Sequence, residues 1–284
     1  MRFEDFCRVH GLIVDSAIEG RWVRVPTTDH PRTKNGAYKF LGDIGWCQNH
    51  AQSTEVSTWR PDADAPKINT EGIAVKAREF ERRMVQGWKR AAETAAGLMK
   101  QAEMAEHNYL HLKGHGSVRG FVLQDGALLV PMRNWETNAV QGAQLIRWLP
   151  EERKYEKKML PGMRAKGAVF RIGRPTAART WLVEGYATGL SLECALATLR
   201  LRDSIVVCFS AGNLMHVASM LKGDCVVFAD NDESGAGERA AVATGRRYCM
   251  AGTVGHDAND LHQAEGIFKV ASLMLDATQL EAPA

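Results

Sequence analysis

Several things are scarce in this 284-residue chain, and each scarcity excludes something. No apolar run approaches the ~20 residues that a membrane-spanning helix needs, so no membrane partner is expected. The opening MRFEDFCRVHGL lacks the basic-then-apolar layout of a secretory leader, and a cytoplasmic location is the expectation. Charge of one sign is not in excess: 36 Lys and Arg stand against 33 Asp and Glu, a net +3, so any nucleic-acid-binding surface must be local. Cysteine is sparse, six residues, and Cys208 and Cys225 sit in apolar runs (IVVCF, CVVFA) where a thiol acts as a small hydrophobe. Reduced thiols are expected rather than a disulfide framework. No G-x-x-x-x-G-K-[ST] occurs, so the sequence shows no Walker-type motor. Internal repeats and low-complexity tracts are absent too.

What is present divides into four stretches. Residues 1–67 are rich in Trp, Gly, Pro and short extended pieces and read as a small α+β module. Residues 68–109 read as a helical linker, with an apolar stripe from Ile73 through Ala77, Phe80, Met84, Trp88, Ala91, Ala95 and Leu98 towards Glu106, which Gly87 and Gly97 could bend or break. Residues 110–175 hold short strands (VRGFVL, ALLVPM, AQLIRW, AVFRIG) and a local excess of cations. Residues 176–284 alternate strands and helices: TWLVEG then YATGLSLECALATLR, SIVVCF then SAGNLMHVASMLK, CVVFAD then a helix around AGERAAVATGRRY. The strand runs are continuously apolar, as in strands covered on both faces, which predicts a parallel, Rossmann-like α/β sheet.

In such sheets, ligands bind beyond the carboxyl ends of the strands. Glu184 closes WLVEG, and Asp230 and Asp232 close CVVFADND. Period-two spacing puts the two aspartates on one side of the chain. Three hard oxygen donors at one crevice suit Mg²⁺ or Mn²⁺. ADNDESGAG is also turn-forming, and a surface turn alone would account for its Asp and Asn. An EF-hand loop fails, because its twelfth position is Ala241. Gly235-Ala-Gly237 with Ala240 mimics a dinucleotide fingerprint, but the adjacent carboxylates would repel a pyrophosphate unless a cation intervened.

VEGYATGLSL, FSAGNL, VVFADNDESGAGERAA and GHDANDLH together resemble the Toprim domain, closest to bacterial DnaG-type primases and their phage and plasmid relatives. GALLVPMRN, QGAQLIRW and KYEKKMLPGMRAKGAVFRIG resemble the basic half of the primase polymerase core, so the likeness spans about residues 110–265. The resemblance implies Glu184 as metal ligand or acid/base, Asp230 and Asp232 as the metal-binding D-x-D, and Asp257 and Asp260 as a further acidic pair, set one residue wider than usual. Thr188 stands where the DnaG-type motif often has Asp. Arg133, Arg147, Lys157, Lys158, Arg164 and Lys166 are candidates for template backbone or NTP phosphates, each of them also readable as a solvated surface charge.

The implied activity is a stand-alone DNA-dependent RNA primase of a phage, plasmid or mobile element, working by two-metal nucleotidyl transfer. Its implied partners are single-stranded DNA, NTPs and a separate replicative helicase. A Toprim nuclease and a non-catalytic nucleic-acid-binding accessory are the alternatives. The chain's small size counts against a topoisomerase.

At the N-terminus, Cys7-x-x-His10 and Cys47-x-x-His50 could supply a zinc site, although the family's second pair is usually Cys-x-x-Cys. A zinc-free DNA-contacting module is the preferred expectation, with Arg21, Arg24, Arg32, Lys34 and Lys39 interleaved with Trp22 and Tyr38. The alternative is a hairpin whose aromatics form a small core.

Overall fold

The computed structural model describes residues 1–50, 52, 55–61 and 70–279; the side chains of residues 70–74, 76 and 77, the expected stripe residues Ile73 and Ala77 among them, lie outside that description. The chain divides into two compact units, Met1–Gln86 and Gly87–Ala284.

In the first unit, helix α1 (Phe3–Val9) precedes an antiparallel sheet of β1 (Trp22–Val25), β2 (Gly36–Phe40), β3 (Gly45–Asn49) and β4 (Ser57–Trp59), in that order. α1 turns Phe3 and Cys7 inwards onto Leu12, Tyr38, Cys47 and Trp59. Phe3 stacks on Phe40 at 4.8 Å between ring centroids. Gly45 makes room for it, since a Cβ there would lie 2.2 Å from the Phe3 ring.

Helix α2 (Thr70–Gln101) leads from the first unit into the second. It is unbroken at Gly87 and Gly97, contrary to the expected bend or break, and it ends short of Glu106 because Glu103–Ala105 is a strand, β5. Then follow α3 (Asn108–Leu112), β6 (Gly120–Val122), β7 (Leu128–Asn134), β8 (Val140–Leu149), β9 (Lys154–Met159) and β10 (Ala168–Ile172). The α/β half comprises β11 (Arg179–Val183), α4 (Tyr186–Thr198), β12 (Ser204–Val207), α5 (Ala211–Met220), β13 (Asp224–Ala229), α6 (Ala236–Ala243), β14 (Arg247–Met250), α7 (Ala258–Glu265) and α8 (Ile267–Gln279). The helix expected to run through to Tyr248 stops at Ala243, and Gly245 at φ +63° turns the chain into β14.

One sheet joins both halves of the second unit, in the order β14-β13-β11-β12-β10-β7-β6-β5, with β8 and β9 added beside β7. β14, β13, β11 and β12 run parallel, and β10 is antiparallel to both β12 and β7. The expected class is met: a Rossmann-like parallel sheet, a strand-rich segment before it, a small α+β module and a long helix. The parallel strands read as unbroken apolar runs because both faces are covered. Trp181, Val183, Ile205, Val207, Val226 and Phe228 pack towards Leu192, Leu261 and Met274 of α4, α7 and α8. The alternate residues Leu182, Val206 and Val227 pack towards Leu214, Val217 and Ala241 of α5 and α6. Each such side chain, fully withdrawn from water, contributes about 1.5–3 kcal/mol. On the strand-rich side, Leu128, Val130 and Ile146 pack with Tyr109 against Tyr186 and Leu190 of α4. The carboxyl ends of β11 and β13, neighbours in the sheet, are thus held rigidly side by side.

Candidate active site at the carboxylate edge of the sheet

Glu184 and Asp230 are the first residues beyond β11 and β13, which pair in parallel. Each carboxylate answers to its neighbours in a distinct way. Asp230 is largely withdrawn from water and lies in the fields of Asp257, Glu184 and Asp232, with Lys157 the opposing charge. Desolvation first, and those anions second, push its pKa up to about 7. Its Oδ1 is buried and has no hydrogen-bond partner. Glu184 is raised by burial and by Asp232, although the backbone N–H of Ala211, in the first turn of α5, donates to it.

Asp232 is held the opposite way. It accepts from the Ser234 hydroxyl, from the Ala236 N–H at 3.2 Å and from the Gly237 N–H at 2.7 Å. These donors at the start of α6 hold its pKa down at about 2. Gly235 enters this turn at φ +66°, and Gly237 sits so close that a Cβ would lie 2.2 Å from the Asp230 carbonyl oxygen. The Gly-Ala-Gly stretch therefore folds the start of α6 onto the D-x-D, a role for which a dinucleotide is not required.

Asp257 caps α7. It accepts from the N–H groups of Asn259 at 2.7 Å and Asp260 at 2.9 Å, and the Asp260 carboxylate accepts from the Asp257 N–H, completing a capping box. The Thr188 hydroxyl, wholly buried on α4, donates to Asp257 at 3.0 Å. Asp260 turns to Lys113, 3.3 Å away. A single bridge between Asn231 and His256 ties the D-x-D loop to this loop, and His256 Nδ1 is, like Asp230 Oδ1, buried without a partner.

Among the described residues, no three His, Cys, Asp or Glu side chains are drawn together closely enough to hold a metal as they stand. Asp232 and Asp257 are engaged instead by N–H and O–H donors. The donor set still fits a hard divalent cation. A buried carboxylate oxygen without a partner, in a field of anions, is the group such an ion would satisfy. Mg²⁺ and Mn²⁺ also need only a few protein oxygens, because they retain waters.

Of the six cations singled out in the sequence, Lys157 is the one whose field reaches Asp230, and it makes no ion pair among the described residues. Its ammonium also sits 5.5 Å over the Tyr109 ring. Lys158, on the opposite face of β9, pairs with Glu156 at 2.7 Å, and Arg147 pairs with Asp125 at 3.0 Å. Arg133 donates to the Asn138 carbonyl at 3.1 Å. Arg164 lies over the Trp88 ring at 5.2 Å, and desolvation first, then the charges of Lys166 and Arg164, lower the pKa of His216 on α5.

Lys113 and Tyr109 escaped sequence reading. The Tyr109 hydroxyl is buried without a partner and feels Lys113, Asp257 and Asp260. Nothing in the local sequence marks either residue.

In the first unit, Cys7 and Cys47 meet thiol to thiol in the core, and their contact raises one and lowers the other. The two histidines do not complete a zinc site: His10 Nδ1 lies 3.3 Å from the Ser57 hydroxyl and His50 is exposed. Tyr38 is core, accepting from the Ile18 N–H at 2.9 Å, so of the two expected stacking rings only Trp22 is exposed.

A parallel sheet whose strands end in carboxylates places hard oxygen donors at the edge where such sheets bind ligands. Residues 179–268 match the family model of the Toprim domain, whose members are metal-dependent nucleic-acid enzymes such as primases, nucleases and topoisomerases. The chain thus carries a Toprim domain at those residues. Neither a search of curated proteins nor one of solved structures finds a match.

Proposed function

We propose that the chain is a DNA-dependent RNA primase, of the kind phages, plasmids and other mobile elements use. It would extend a 3′-hydroxyl on single-stranded DNA with NTPs, beside a separate helicase. The observation that carries this reading is Asp230: half-buried, with one buried oxygen that has no partner, in the fields of Asp257, Glu184 and Asp232 and of the opposing Lys157.

Glu184, Asp230 and Asp232 would hold the divalent ions, with Asp257 and Asp260 bordering them. When bound, such ions stabilise the attacking and leaving oxygens of a phosphoryl displacement. The protein's own groups do the positioning. The α6 N–H groups fix Asp232, and Ala211 orients Glu184. Lys157 supplies positive charge where a phosphate would enter. Sheet continuity supports synthesis over cleavage: β10 joins the basic strand-rich platform directly to β12 of the carboxylate-bearing sheet, so template and site would share one rigid body.

The test is incubation of labelled single-stranded templates with Mg²⁺ or Mn²⁺, with and without NTPs. Growth of products that needs NTPs, lost in Asp230→Ala and Glu184→Ala, is the expected result. NTP-independent shortening of the template would instead mean a nuclease, and no metal-dependent product at all would mean an accessory protein.

A further inference from the structure

A ladder of aromatic rings runs from the surface of the strand-rich half to the carboxylates. Trp148 on β8 is 47% exposed and opposes Tyr155 on β9, with 5.0 Å between ring centroids. Tyr155 meets Tyr109 edge-on at 5.3 Å. The Tyr109 hydroxyl end in turn feels Asp257 and Asp260. His107 closes the near side at 5.9 Å from Tyr155, its ring locked by a bond from Nε2 to the Gly126 carbonyl at 2.9 Å and by the Tyr109 N–H donating to Nδ1 at 3.0 Å. Trp148, Tyr155 and His107, with Leu112 and Val122, line an open pocket of about 600 Å³.

A core would have buried Trp148 and Leu112; here Leu112 is 63% exposed. The pocket offers flat apolar faces. Outside the pocket, Lys157, on the same face of β9 as Tyr155, stands over Tyr109 and reaches Asp230 with its field. Arg147 and Lys154, next to the two outer rings in sequence, point to the opposite face of the β8–β9 ribbon and pair with Asp125 and Glu152. Glu106, the carboxylate among the lining residues, pairs with His111 at 3.3 Å. Flat rings beside a lysine, unpaired among the described residues, whose field reaches the carboxylate site are complementary to an unpaired base joined to an anionic backbone.

We propose that the Trp148–Tyr155–His107 pocket is a stacking subsite for an unpaired base of a single-stranded nucleic acid, from which Lys157 leads the backbone to the carboxylate site. The inference rests on the reading of the chain as a nucleic-acid enzyme and adds to it the place where the strand is gripped.

The test is fluorescence anisotropy of the full chain with a short labelled oligo(dT), with EDTA present so that chemistry plays no part. Trp148→Ala is expected to weaken binding about tenfold or more, Trp148→Phe to restore most of it, and Asp230→Asn to leave it no weaker. An abasic strand of equal length and charge should bind wild type more weakly and Trp148→Ala no differently from oligo(dT), a comparison that does not depend on how any one variant folds. Equal wild-type affinity for the abasic strand and oligo(dT), or undiminished binding by Trp148→Ala, would overturn the proposal. So would a concentration-dependent mass in light scattering that Trp148→Ala abolishes, because the face would then serve a second copy of the chain. Failure of primer synthesis with stacking intact would sink the primase reading alone.

Discussion

The Thr188 hydroxyl donates a 3.0 Å hydrogen bond to the Asp257 carboxylate, joining the first turn of α4 to the N-cap of α7 across the site. The resemblance to DnaG-type primases leads one to look for a carboxylate at this position. A further carboxylate this close would add to the repulsion among the site's anions, whereas a hydroxyl donates a hydrogen bond. Thr188→Val keeps the shape and removes the donor. It should destabilise the protein by about 1.5–3 kcal/mol, as for a hydrogen bond to a charged group, and should weaken Mn²⁺ binding. Thr188→Ser should recover most of both. Denaturant melts and Mn²⁺ titrations of the two variants check this; a Val variant as stable and as tight-binding as wild type would leave Thr188 without a part in the site.

Gly237 is the second fixed point. An alanine methyl there would meet the Asp230 carbonyl at 2.2 Å, and the Gly237 N–H is the donor that holds Asp232 at 2.7 Å. Gly237→Ala should lower the melting temperature and abolish any rise caused by Mn²⁺. A methyl on Gly212 of α5 would meet nothing within 4 Å, so Gly212→Ala should be neutral or stabilise by up to about 1 kcal/mol. If the two substitutions behave alike, close packing of α6 on the D-x-D is not what matters.

Metal affinity should follow the titration of Asp230. With its pKa at about 7, the carboxyl is largely protonated below neutrality in the metal-free protein, and a cation must displace that proton. Mn²⁺ affinity should therefore rise between about pH 6 and 8 and level off above. Without metal, the sign for stability is opposite: a carboxyl raised above its unfolded value of about 3.9 progressively loses stability as pH rises from there to about 7. Asp230→Asn should consequently melt higher than wild type at pH 8 in EDTA, and equal melting temperatures would contradict the assignment.

Beneath the site, a buried network gives a second pH dependence. His115 lies 3.3 Å from the Ser191 hydroxyl and 3.1 Å from the Asn259 amide nitrogen, with the His262 ring beside it and Lys113 near. Burial, with His262 next, lowers its pKa to about 4. A histidine depressed in the fold stabilises it only while neutral, so that contribution is present above the unfolded value of about 6.5 and fades as pH falls to 4. His115→Gln should flatten the loss of stability between pH 6.5 and 4, measured by urea melts across that range; an unchanged slope would place the acid sensitivity elsewhere.

The parallel strands and their terminal carboxylates were legible in the sequence for one reason: strands covered on both faces admit only apolar residues, so the first charged residue after each run marks its carboxyl end. β9 gave no such signal. KYEKKM pairs along one side with β8 and lies at the margin of the sheet, where charged side chains reach solvent. The bonds from Thr188 and Lys113 to Asp257 and Asp260 span 69 and 147 positions, and no local pattern encodes contacts of that range. The same holds for the Trp148–Tyr155–Tyr109 ladder, which exists only because the β8–β9 register and the placement of α3 bring the rings together. Tyr38 misled in the other direction: amid basic residues it suggested a base-stacking ring, yet α1 and Phe3 cover it.

Calorimetric titration of the metal-free full chain with Mn²⁺ at pH 8, for wild type, Glu184→Gln and Asp230→Asn, tests the central claim most directly. Saturable binding by wild type is expected, weakened about tenfold or more by either substitution, since each removes a charged oxygen ligand. Wild-type affinity retained in both variants would show that the carboxylates closing β11 and β13 do not hold the ion.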